Sequence, residues 1–128
     1  MMQPLSRGEI EVVVRRAGFT GADVDVAVAV ALAESGGDPA QVNPEPQANP
    51  VPSKGSIGLF QIFRWQHPET WGISIDDLCD PLLNARLAYL LIYIPRGKTF
   101  VGWSTFNSGA YKKFLQPSFA VADPELGQ

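Results

Sequence analysis

Residues 31–38 read A-L-A-E-S-G-G-D, which puts one glutamate, Glu34, at the end of the apolar run VAVAVALAES and directly before two glycines. A carboxylate there is partly desolvated, and desolvation penalises its charged form, so Glu34 is either a surface residue at a frayed helix end or a tuned acid. The other acids that could work beside it are Asp38 just past the run, Glu45 in a proline-rich stretch, and Asp76 and Asp77 further on. The single cysteine, Cys79, rules out an intrachain disulfide. Cys79 and the single histidine, His67, stand far apart in no recognisable motif, which argues against a Cys/His nucleophile or a zinc site. No metal and no cofactor are expected. Cys79 reads as a small buried residue, and His67, before Pro68, as structural or exposed.

The elements that must position Glu34 are mostly helices. Ser6 with Glu9 three residues on forms a capping box, after which Ile10, Val13, Val14 and Ala17 recur at helical spacing until Gly18. Thr20 is a cap for a second helix. Val24, Ala27, Val28, Ala31 and Leu32 line one face of that helix, and Gly36 follows as its C′ residue. Its alanines let neighbouring helices approach closely, as suits the central helix of a small all-α domain. From 38 to 54 the chain reads DPAQVNPEPQANPVPSK, where five prolines exclude regular helix and a central strand, leaving a surface loop able to flank a groove. Asp80 followed by Pro81 opens a helix through LLNARLAYLLIYI that Pro95 ends, and Thr99 is the expected cap of a last one, FVGWSTFN.

Composition bounds the function. The 128 residues, 45% hydrophobic and 18% charged, suit one globular domain with a real core. A net charge of −3 without a basic block gives no electrostatic footprint for nucleic acid. The run over residues 24–33 contains Asp25 and is far shorter than a membrane span, so no membrane is expected. The opening MMQPLSRGEIEVVV lacks the basic and unbroken apolar regions of a secretory signal.

Four blocks in order, ALAESGGDP, KGSIGLFQI, DPLLNARLAYLL and WSTFNSGAY, together resemble the lysozyme-like soluble lytic transglycosylase catalytic domain, over roughly residues 24–111. The resemblance implies a mainly α fold, a lysozyme-like (goose-type) single helical domain over 1–128 with a long proline-rich loop and little or no sheet. Residues 1–19 would form its N-terminal helix and 112–128 a C-terminal tail. The WSTFNSGAY form, the missing signal and the small size are similar to muralytic domains of phage endolysins or tail proteins.

Such a domain cleaves the β-1,4 bond between N-acetylmuramic acid and N-acetylglucosamine in peptidoglycan, and the resemblance makes Glu34 its general acid. Burial against Leu59, Phe60 or Ile62 would raise its pKa as that role requires. The deprotonated residue then takes the C6 hydroxyl proton, giving a 1,6-anhydro product with no second carboxylate. The alternative, a lysozyme-type muramidase, would hydrolyse the bond with Glu34 plus a positioned water or a second carboxylate about 5–9.5 Å away, for which Glu45 is the first candidate. Position-by-position matching puts the amide of Gln61 in the sugar groove near the acid and Asn107 in the family's Tyr-Asn-Ala-Gly block. Ser35 either holds the Glu34 carboxylate or ends the helix, and Ser56 either donates to an N-acetyl carbonyl or caps a turn.

This chain departs from the family at Phe106, where a tyrosine hydroxyl would lie near the acid. Either Tyr111 or Tyr89 supplies a hydroxyl there or the contact is lost. Trp65 is expected along the groove, and Trp71 and Trp103 in the packing. The expected partner is the peptidoglycan glycan strand, met by a monomer. An acidic domain gains little attraction to an anionic wall, so a separate targeting or virion component is expected to bring it there. Two other classes of reading stand beside this one: an inactive glycan-binding tail module, and a peptidoglycan amidase or peptidase, which the lone Cys79 and His67 disfavour.

Overall fold

The capping box at Ser6 forms as its spacing requires. In the computed structural model, which describes residues 3–44 and 55–115, Ser6 Oγ accepts from the Glu9 N–H (3.1 Å) and Glu9 Oε1 accepts from the Ser6 N–H (2.8 Å). Helix α1, Arg7–Ala17, follows and buries Ile10, Val14 and Ala17.

Helix α2, Ala22–Ser35, starts without the expected side-chain cap: Gly21 occupies the N-cap position, and Thr20 contributes only its carbonyl, to the Asp23 N–H. Its burial is wider than one face. Ala27, Val28, Ala29, Val30 and Ala31 are all buried, so α2 is the central helix and its middle, residues 27–31, is enclosed by packing on every side. Gly36 ends it in the left-handed region (φ +66°), where an L side chain is disfavoured.

Three two-residue strands, β1 (Val42–Asn43), β2 (Ser56–Ile57) and β3 (Ile62–Phe63), form a small antiparallel sheet in that order. Val42 pairs with Ile57 and Ser56 with Phe63. Most of the proline-rich loop, including Glu45, lies outside the described residues.

A short helix α3, Ile75–Leu78, is capped by Ser74 and was not read from the sequence. Helix α4 begins at Pro81 with Asp80 as N-cap, its Oδ2 accepting from the Leu83 N–H (2.9 Å). The expected single helix then changes winding. It is α to Leu87, widens to a π turn over Ala88–Tyr93, and closes as a 3-10 turn over Ile94–Arg96 that contains Pro95. This winding sets both Tyr89 and Tyr93 against Phe19, with ring centroids at 5.1 and 4.7 Å. Thr99 does not cap the last helix, because its hydroxyl is spent on the Arg96 carbonyl. Helix α5 therefore starts only at Ser104 and runs to Asn107, and a 3-10 turn over Ala110–Phe114 packs against α2.

The main core joins α1, α2 and α4 to an aromatic cluster of Phe19, Phe60, Tyr93, Phe100 and Trp103. Ile57, Leu78 and Cys79 form a smaller cluster beneath the sheet. Trp103 is buried as expected. Trp71 is not: it sits 44% exposed beside Trp65, with ring centroids 6.3 Å apart. No helix among the described residues is long and apolar enough to cross a membrane.

Candidate active site

The turn between β2 and β3, residues 58–61, is held by three separate elements. From α2, Ser35 Oγ donates to the Leu59 carbonyl (2.8 Å). From α4, the fully buried Asn84 accepts the Phe60 N–H at Oδ1 (2.8 Å), while its Nδ2 donates to the Ile57 and Leu78 carbonyls, both at 2.9 Å. Trp103, just before α5, donates its indole N–H to the Phe60 carbonyl (3.0 Å). Such pairing is obligatory for backbone groups buried this deeply. Gly58 is required at the turn, since its φ is +82° and a Cβ would stand 2.3 Å from Asn84 Nδ2. Gln61 is a non-glycine residue at positive φ (+50°), a conformation that costs about 1–3 kcal/mol and collects at functional sites.

This turn forms one side of a groove of about 530 Å³. Glu34, Asn43, Ser56, Gln61, Phe63 and Trp103 are among the side chains that line it. Glu34 is the only carboxylate among the described residues on its walls. Asp38, Asp76 and Asp77 do not line it.

Glu34 is half-buried in the last turn of α2, and burial pushes its carboxyl above the ordinary glutamate range. Donation from Thr105, by side chain and backbone, pulls the other way without cancelling that rise. The Thr105 hydroxyl gives its proton to Glu34 Oε2 across 2.7 Å.

The other expected residues fall into place unevenly. Gln61 and Ser56 line the groove with Glu34. The Gln61 amide is largely engaged inside the protein: Nε2 donates to the Gln41 and Gly58 carbonyls (3.1 and 3.0 Å), and Oε1 accepts from Asn43 Nδ2 (2.6 Å). Ser35 ties the helix end to the turn rather than bonding the Glu34 carboxylate, because its hydroxyl donates to carbonyls and accepts the Gly37 N–H. Asn107 ends α5 and donates to the Val101 carbonyl (2.8 Å). Tyr111 stacks on Phe106 with centroids 4.9 Å apart, and Tyr89 packs against Phe19. Trp65 is not on the groove wall, although its neighbour Gln66 is. Sequence reasoning missed Asn43, Asn84 and Thr105; none carries a local signal, because each acts on a partner 18 or more residues away.

Among known families, the one described as Lysozyme like domain matches residues 11–105. The chain belongs to this lysozyme-like family. Its match takes in Glu34, the 58–61 turn and Thr105, and stops short of Asn107 and Tyr111. No curated protein and no solved structure matches the chain. Membership of the lysozyme-like family points to a glycosidase-type activity on the peptidoglycan of the cell wall. No group of three or more metal-ligating side chains occurs among the described residues of this lysozyme-like domain.

Proposed function

We propose that the chain is a lytic transglycosylase in which Glu34 is the general acid and then the general base. The observation that carries this reading is a single carboxylate, raised in pKa by burial, on the wall of a groove with no second carboxylate among its described lining residues. The protonated Glu34 gives its proton to the glycosidic oxygen as the C1–O bond breaks and its electrons pass to the departing N-acetylglucosamine. Positive charge develops at C1 and the ring oxygen of the muramic acid. The resulting Glu34 carboxylate takes the proton of the muramoyl C6 hydroxyl while that oxygen bonds to C1, closing a 1,6-anhydro ring and restoring the acid.

Asn43, Ser56, Gln61 and Trp103 shape the groove around the scissile bond, and Phe63 offers an apolar face to a sugar ring. Asn107 and Tyr111, expected as substrate contacts, pair with Val101 and Phe106, neither of which lines the groove. Glu45, next in sequence to the groove residue Pro44, is the candidate second acid of a hydrolytic alternative. A phage source, with delivery by a partner or fused domain, fits the small acidic chain.

The test is mass spectrometry of muropeptides released from purified sacculi. The transglycosylase reading expects 1,6-anhydro ends, lighter by one water than the reducing sugar. Free reducing ends would assign hydrolysis instead.

A further inference from the structure

The Thr105 hydroxyl holds the Glu34 carboxyl at one identified oxygen. Oε2 receives the Thr105 hydroxyl at 2.7 Å in half-buried surroundings, and the Thr105 backbone also donates to the carboxyl. Among the described residues, Glu34 Oε2 is the acceptor of the Thr105 hydroxyl.

We propose that Thr105 is the positioning residue of the acid: its hydroxyl occupies Oε2, so the proton of the neutral carboxyl resides on Oε1 and is delivered from there. This rests on the reading of Glu34 as the general acid. The hydroxyl has a second effect, on charge. Donation to the carboxylate stabilises the ionised form and offsets part of the rise caused by burial. Thr105 thus keeps the carboxyl able both to give up its proton and to recover one.

The charged side chains on the elements packed against α2 are Arg7, Glu9, Glu11, Arg15 and Arg16 on α1 and Lys112 and Lys113 on the 110–114 turn; α5 has none. Neither these nor Asp23 and Asp25 of α2 itself contribute to the shift at Glu34, which burial and Thr105 set between them.

The test compares Thr105→Val, which keeps the shape and removes the donor, with Thr105→Ser, which keeps the donor. Two readouts are taken: the pH profile of sacculus solubilisation, and the 13C titration of the Glu34 carboxyl by NMR. Loss of the donor leaves the carboxyl harder to ionise. In Thr105→Val the Glu34 titration and the alkaline limb of the profile therefore both move to higher pH. Turnover falls about tenfold or more while KM stays within about twofold. Thr105→Ser returns all of these towards wild type.

A Thr105→Val protein with the wild-type titration and wild-type turnover overturns the proposal, and so does a Thr105→Ser protein as impaired as Thr105→Val. The NMR arm reads the hydrogen bond without any activity. A chain that proves inactive on sacculi therefore counts against the proposed function, while an unmoved titration counts against the role of Thr105.

Discussion

Glu34 and Thr105 come from positions 71 residues apart, and they meet at the wall of the groove, where burial raises the Glu34 carboxyl and Thr105 offsets part of that rise. Because burial raises the folded-state value of Glu34 above that of the unfolded chain, the folded state binds more protons between the two values. Stability contributed by the neutral carboxyl is therefore full below the unfolded value and is lost as pH rises through the folded one. Glu34→Gln, which cannot ionise, is accordingly expected to melt at a higher temperature than wild type at pH 7, with the gap closing by about pH 3. Thermal unfolding at the two pH values checks this; equal melting temperatures at pH 7 would count against a strained acid. Glu34 was legible in the sequence because a lone acid stands in an apolar run with two glycines behind it. Thr105 was not, since one hydroxyl in WSTFN shows nothing of a partner so distant.

At the scale of elements, the 58–61 turn depends on Asn84 as much as on its own residues. Replacing Asn84 with Leu leaves the Phe60 N–H and the Ile57 and Leu78 carbonyls without it, each a buried group whose desolvation costs about 1–3 kcal/mol. A loss of at least about 2 kcal/mol in urea unfolding is expected, with lytic activity falling more than the folded fraction does. Asn84→Asp is expected to be comparably damaging at neutral pH, because an ionised carboxylate would face two carbonyls, and milder in acid.

The glycines of GSIGLFQI announced the tight turn, and the α1 capping box and the Asp80–Pro81 start were equally readable. The π turn over Ala88–Tyr93 was not, because LLNARLAYLLIYI has a period suited to plain α-helix and the widened winding accompanies packing of two tyrosines on Phe19. Thr99 misled in a different way. Its hydroxyl had a nearer acceptor in the preceding turn than any helix start could offer.

Over the whole molecule, α2 is the axis on which the fold and the site meet. Its buried alanines and valines anchor the helix, its last residues carry Glu34 and Ser35, and the aromatic cluster around Phe19 and Phe60 holds the groove residue Trp103 through its bond to Phe60. Phe19 contacts the rings of Phe60, Tyr89, Tyr93 and Phe100, so Phe19→Ala is expected to cost about 3–5 kcal/mol in denaturant unfolding. A loss under about 1 kcal/mol would show that the cluster is not the keystone argued for.

The mainly helical lysozyme-like fold followed from four short blocks. The groove did not, because it is assembled from the end of α2, the three strands, the 58–61 turn, the 64–66 turn and the start of α5, pieces whose proximity only packing creates. The central claim is that Glu34 supplies the proton. Solubilisation of purified sacculi by wild type and by folded Glu34→Gln tests it most directly. A fall of about 10²- to 10⁴-fold in the variant is the predicted result, and equal lysis by the two proteins would contradict the account.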